Sequence, residues 1–152
     1  MIEFALIVAG GQRYAIRIRE LAGLEVNRKI APVPAAMRGL LGLSAVQGQL
    51  VPVFDLAALL GAGARASTPR WMALHRGKEL VGLAFDEFEG SRRVAAQAVH
   101  ELASAPEQAR MSRQAIRVDS ALIHVLEISS LAAAIAPGEK ERTERQSESG
   151  KE

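Results

Sequence analysis

The run Gly42–Gly61, GLSAVQGQLVPVFDLAALLG, is almost wholly apolar, yet it is broken by Gln47-Gly48-Gln49, by Pro52 and by Asp55. A membrane span or one buried helix would not carry that punctuation, because each break is a turn, strand-edge or cap signal. Leu40–Val46 is expected as a strand, Gln47-Gly48 as a tight turn and Leu50–Phe54 as a second strand. Pro52 has no amide proton, so its strand should lie at an edge or turn the missing donor outward. Asp55 suits a helix N-cap, Leu56, Leu59 and Leu60 share one helical face, and Gly61 stands where a C-cap glycine belongs.

Upstream, Phe4–Val8 and Tyr14–Ile18 flank Ala9-Gly10-Gly11-Gln12 and predict a hairpin. In YAIRI the period of two predicts a half-buried strand. Pro32 and Pro34 then enforce extended backbone. Downstream, Gly61–Arg70 is a connector, and Trp71–His75 and Glu79–Phe85 flank Arg76-Gly77-Lys78 as another hairpin. The stretch 86–114 carries polar and alanine-rich pieces, expected as a strand, a loop and a helical turn. Ile116–Val118 and Leu122–Leu126 make a third clear hairpin around Asp119-Ser120, followed by a short helix over Glu127–Ile135. From Gly138 to Glu152 there is no apolar residue, so residues 138–152 are expected as a disordered charged tail beyond a domain of residues 1–137.

The chain repeats its own pattern. When VQGQLVPVFDLAAL (Val46–Leu59) is set over VDSALIHVLEISSL (Val118–Leu131), Val46 falls on Val118, Leu50 on Leu122, Val53 on Val125 and Asp55 on Glu127. The hairpins around Gly11 and Gly77 are related by a similar offset. Order and spacing recur as well as type, which predicts two similar small β subdomains.

Composition narrows the function. With 49% hydrophobic residues the 152-residue chain can bury a core, and with no cysteine it has neither disulfides nor thiolate chemistry. The N-terminus has Glu3 and no basic n-region, a poor secretory signal, and a cytosolic protein is expected. Net charge is only +2, basic residues are scattered, and one Trp with one Tyr gives little to stack bases on, so nucleic-acid binding is not expected. His75, His100 and His124 lack metal-ligand spacing, so no metal is expected. Asp55 and Glu127 suit helix caps, Asp119 a turn and Asp86 a strand end. No serine sits in a nucleophile elbow, and no glycine pair is followed by the Lys-Ser/Thr of a phosphate loop. Neither catalytic residues nor a cofactor are expected, which leaves a protein that works through its surfaces, or a small-ligand-binding β module.

These motifs, taken in order, resemble the CheW family of bacterial chemotaxis coupling proteins. The resemblance runs from Phe4 to about Ile135. Its centre is the family's N-L-R-G-x-[VIL]-[VIL]-P-[VI]-x-D-L, here Ala45–Leu56. Tyr14-Ala15-Ile16, Val33-Pro34, Gly82–Asp86 and the closing LIHVLEISSL accompany it. The resemblance implies a mainly β fold of two intertwined five-stranded SH3-like β-barrels with short helices. It implies a non-enzymatic, cytoplasmic adaptor between a chemoreceptor's cytoplasmic tip and the regulatory domain of a CheA-type histidine kinase, without direct membrane insertion. Receptor contact would map to Leu21, Gln47, Val81 and Phe88 near a groove between the barrels. Kinase contact would map to exposed apolar ends of the first barrel, at Val51, Val53, Asp55 and Leu56. Three departures stand out. Gln47 replaces the motif Arg, Ala45 its Asn, and Gly23 in Leu21-Ala22-Gly23-Leu24 the usual acid. Both charged positions are neutral, so a divergent coupling protein with its own receptor, of a non-flagellar or pilus pathway, is expected.

Overall fold

Three hairpins turn on two residues held in the left-handed region: Gly10-Gly11 (φ 58° and 79°), Gln47-Gly48 (50° and 76°) and Asp119-Ser120 (48° and 70°). Two successive positive φ values match the right-handed twist of the flanking strands, so each turn fixes the register of its hairpin. The computed structural model describes residues 1–34, 37–62, 69–102 and 111–135. Residues 138–152, expected as a charged tail, lie outside them.

The hairpins supply most of the strands. The first is β1 (Ile2–Ala9) with β2 (Gln12–Arg17). After β3 (Gly23–Val26) come β4 (Leu40–Val46) and β5 (Gln49–Asp55), then α1 (Leu56–Leu59). The second half opens with β6 (Trp71–Arg76) and β7 (Leu80–Phe85), continues through β8 (Glu87–Val94) and the short β9 (His100–Glu101), and closes with β10 (Met111–Val118), β11 (Ala121–Leu126) and α2 (Ile128–Ile135). β10 begins well before Ile116, and a 3-10 turn at Ala96–Ala98 is the helical turn expected in the polar middle.

The two sheets run β8-β1-β2-β11-β10-β9 and β3-β6-β7-β5-β4. Each is built the same way. The second strand of one hairpin (β1-β2 or β6-β7) lies parallel to the second strand of another, β2 on β11 with Tyr14 opposite His124, and β7 on β5 with Gly82 opposite Val53. The halves of the chain have therefore exchanged hairpins: β1-β2 completes the sheet of the second half, and β6-β7 that of the first. The sequence repeat is real in three dimensions, and the two units are intertwined. The first sheet departs from the expected five strands by adding the two-residue β9, whose His100 pairs with Ala115. In the other sheet Ala31 forms an isolated bridge to Leu43, the repeat equivalent of Ala115.

Burial follows this plan. Phe4, Leu6, Ala15, Ile116, Ile123 and Val125 fill one sheet's own core, while Val46, Val51, Val53, Met72, Leu74 and Leu80 fill the other's. Between them lies a shared core that includes Ile7, Tyr14, Ile16, Phe54, Leu56, Phe85, Leu126 and Ile128. Strand β2 is accordingly buried on both faces rather than half-buried: Tyr14 and Ile16 enter the shared core, Ala15 its own, and Arg17 is only 9% exposed. Burial raises the Tyr14 phenol above its ordinary 10.0. The guanidinium of Arg17 lies 5.7 Å from the centre of the Phe4 ring and donates to Gln114 Oε1. Gln114 in turn donates to Glu101 at 2.8 Å.

Pro52 needs a correction. Strand β5 is interior, between β7 and β4, not an edge. Opposite Pro52 sits Leu43, whose N–H and C=O both bond to Ala31, away from β5. Pro52 therefore occupies a non-hydrogen-bonded pair, and its missing donor faces the β7 side ahead of Val53, where the parallel ladder begins.

Asp86, just past β7, joins the sheets. Its N–H donates to Val8 O at 2.9 Å and its carboxylate accepts from Gly10 N at 2.9 Å. Asp86→Ala removes the acceptor that holds the β1-β2 turn and should cost about 1–2 kcal/mol, read by chemical denaturation. An unchanged denaturation midpoint would show that the turn does not depend on this carboxylate. Ser120, without glycine's freedom at φ 70°, should gain from Ser120→Gly by up to about 1 kcal/mol. A lower melting temperature in that variant would contradict the strain.

Candidate functional site

The central motif is built by local chemistry. Asp55 caps α1, its carboxylate accepting from Ala57 N at 3.2 Å. Gly61, at φ 89°, ends the helix as Ala62 N bonds back to Ala57 O at 2.9 Å. Glu127 holds the equivalent place before α2: its carbonyl accepts from Leu131 N and its carboxylate from Ser130 Oγ, both at 3.1 Å. The acids of the repeat thus both stand at helix starts, Asp55 capping through a backbone amide and Glu127 through the Ser130 hydroxyl.

The residues expected to meet a kinase are not surface residues. Val51, Val53 and Leu56 have no exposed area, and Asp55 is 7% exposed. Alternation turns Val51 and Val53 into the core of their own sheet, while Leu56 leads α1 into the shared core. The exposed large apolar residue on this hairpin is Leu50 (69% exposed), beside the turn. Its repeat equivalent Leu122 (46%) is exposed at the same place on the other sheet's hairpin. The signal was available in the sequence: the second residue after each of these two turns is a leucine, and the residue that follows it, Val51 or Ile123, is the one that faces inward.

The four residues expected at the receptor are partly or fully exposed, and three of them are tied together near residues 20–23. Gly23 pairs with Leu74, and His75 pairs with Val81. The His75 ring nitrogen Nδ1 lies 2.9 Å from Glu20 O, one residue before Leu21. The Gln47 amide nitrogen lies 3.7 Å from where a Cβ on Gly23 would stand. This brings the β4-β5 turn against β3, the strand at the far edge of the same sheet. Phe88 stands apart on β8 of the other sheet, where it packs at 5.3 Å against Trp71. Leu21 and Phe88 both border the shared core.

Charged side chains nearby are engaged locally. Arg28 meets Glu25 at 3.1 Å and Arg13 meets Glu89 at 2.8 Å, both partly exposed pairs worth little in stability. Among the described residues no three His, Asp or Glu side chains gather as a metal-holding group. No helix among them is long and apolar enough to cross a membrane.

The model of the CheW-like domain matches residues 3–136. The chain belongs to the CheW-like domain family. Such domains serve as scaffolds or adaptors in chemotaxis signalling, and this CheW-like chain is one of them. Among solved structures it is similar to the scaffolding protein TtCheW from Thermoanaerobacter tengcongensis, with a TM-score of 0.73 at 14% identity, over 83% of this chain and 88% of that one. At that identity the likeness concerns the fold. Comparison with curated proteins finds no match.

Proposed function

We propose that this CheW-like chain couples the cytoplasmic tip of a methyl-accepting chemoreceptor to the regulatory domain of a CheA-type histidine kinase, acting in the cytoplasm at membrane-associated receptor arrays. The observation that carries the reading is the pair of exposed leucines, Leu50 and Leu122, at equivalent hairpin tips of two separate sheets. An adaptor needs separate faces held in fixed relation, and an exposed apolar anchor within a polar surround is what such a face requires. Leu50 takes over, as the surface residue of that hairpin, the kinase contact expected at the buried Val51, Val53 and Leu56. Leu21, Gln47, Val81 and Phe88 form the receptor side, with Gln47 in the β4-β5 turn, three residues before Leu50.

The test uses purified chain, a receptor tip fragment and a kinase regulatory domain from the same genome. Leu50→Glu should leave the melting temperature nearly unchanged, because the side chain is already in water. It should weaken kinase binding by about tenfold or more while sparing the receptor fragment. Leu122→Glu should spare one-to-one kinase binding and reduce the kinase retained in larger receptor–kinase assemblies. A wild-type chain that sediments with neither partner would overturn the reading.

A further inference from the structure

The two halves of the repeat present the same face with different chemistry. On β4 and β5 the residues that alternate away from the inward Val46, Val51 and Val53 are Leu43, Ala45, Leu50 and Pro52, and Ala31 bridges Leu43 at the edge. None of these outward residues carries a charge, and Lys29, whose carbonyl accepts from Ser44 Oγ, brings a cation only to the margin. The equivalent face of β10 and β11 presents Ala115, Arg117, Leu122 and His124, with His100 pairing Ala115 from β9. Register sets Arg117 directly across from Leu122, as it sets Ala45 across from Leu50. Arg113, exposed, stands two residues before Ala115 on the same strand. One leucine anchor is therefore framed by apolar side chains, and its counterpart by arginines and histidines.

The neighbouring acids do not cancel this charge. Asp119 at the tip is held by Arg92 at 3.2 Å, Glu101 accepts from Gln114 at 2.8 Å, and Glu127 from Ser130 at 3.1 Å. Among the described residues neither Arg113 nor Arg117 meets a carboxylate, and Arg117 Nη1 lies only 3.5 Å from Ser120 O. Nor does the fold require a cation at position 117, because its counterpart Ala45 fills the same place without one.

We propose that the β10-β11 face binds an acidic protein surface, one that sets carboxylates around an apolar recess for Leu122. Charge complementarity selects that occupant: the leucine supplies the desolvated centre, and Arg117 and Arg113 supply a cationic rim. The same cations exclude the apolar surface that suits the Leu50 face, so the two equivalent hairpin tips are not interchangeable. A nucleic acid would want aromatic side chains to stack on, and a membrane surface about four to eight clustered Lys or Arg, and this face offers neither. The inference rests on the coupling reading and names the chemistry of its second tip.

The experiment sediments the full chain with the receptor tip fragment and the kinase regulatory domain of its own genome, from low to high salt. The one-to-one kinase complex, built on the uncharged face, should persist between about 0.05 and 0.5 M salt, whereas larger assemblies should fall several-fold as ions screen the arginines. Arg117→Ala should keep the wild-type melting temperature, since the side chain is exposed, yet cut the larger assemblies several-fold and flatten their salt dependence. Arg117→Glu should cut them about tenfold or more. Ala45→Arg, which copies the cation onto the first face, should weaken the one-to-one complex instead. If wild type forms no larger assemblies, or forms assemblies indifferent to salt and to Arg117, the inference falls while an intact one-to-one complex keeps the coupling reading. Wild type that sediments with anionic lipid vesicles, and no longer does so as Arg117→Glu, would assign the face to a membrane and overturn the protein partner. A wild type that binds neither receptor nor kinase removes the coupling reading, and this inference with it.

Discussion

Gly42→Ala is expected to cost about 3–5 kcal/mol, a large share of the 5–15 kcal/mol that holds a typical domain together. Gly42 sits at φ 151°, and a Cβ built on it would lie 2.1 Å from Ala31 O, 2.7 Å from Ala31 C and 3.0 Å from Pro32 Cα. All three are backbone atoms, so no side chain can rotate away to make room. Either β4 shifts, at the irregularity between Leu40 and Gly42, or the strip through Ala31 lifts off its edge. Lifting it off breaks both hydrogen bonds of the Ala31–Leu43 bridge, at 2.8 and 2.9 Å, each worth about 1 kcal/mol. The backbone strain adds about 1–3 kcal/mol. Ser44, whose hydroxyl donates to Lys29 O at 2.8 Å, is then at risk as well. The control is Gly48→Ala. Gly48 also has positive φ, at 76°, but a Cβ there meets nothing within 4 Å, so only the conformational cost of about 1 kcal/mol remains. Equal losses for the two variants in chemical denaturation would refute the steric account.

Phe85→Ala should cost a similar 3–5 kcal/mol, through a different mechanism. Phe85 ends β7 with no exposed area, in the shared core where residues of both sheets meet. Truncation leaves a cavity lined by strands that cannot collapse independently, since β7 is held between β6 and β5. It also removes the stack on Trp71, whose ring centre lies 6.3 Å away at an interplanar angle of 18°. Trp71 is the single tryptophan of the chain and lies against Phe85 and Phe88, so its fluorescence reports on this junction directly. The expected result is a lower denaturation midpoint with a shifted emission in the folded state. A loss under about 1 kcal/mol with unchanged emission would mean that the shared core does not hold the sheets together.

Much of the architecture was legible because it is local. The turns at Gly10-Gly11, Gln47-Gly48 and Asp119-Ser120 announce themselves by residue type and by the alternation around them, and the strands they join follow from period two. Asp55 and Glu127 are readable at helix starts since each carboxylate bonds a group only two or three residues away, the Ala57 amide or the Ser130 hydroxyl. Strand β8 was harder. EFEGSRRV is polar and interrupted by Gly90, because β8 lies at a sheet edge where charged side chains such as Arg92 and Arg93 meet water and discourage further pairing. The pattern of an edge strand resembles that of a loop.

The candidate site divides along the same line. Leu21, Gln47, Val81 and Phe88 could be named from resemblance to a family, but nothing in the linear order says that Gln47 reaches Gly23 or that Phe88 packs on Trp71. Val51, Val53 and Leu56 were expected at the surface, and they are interior. An apolar residue on a strand reads the same whether it faces a core or a partner, and only the covering elements decide between the two.

By itself, then, the sequence determined the hairpins, the capped helices, the twofold repeat and, through its motif, the family. Tertiary structure alone decided that the repeats trade hairpins, placing Tyr14 beside His124 and Gly82 beside Val53. It also decided that the neutral residues at 23 and 47 share one spot. The physical reason is range. Turns and caps are set by hydrogen bonds between near neighbours in the chain, whereas a parallel pairing and a buried core join distant segments whose partnership depends on every other surface competing for the same cover.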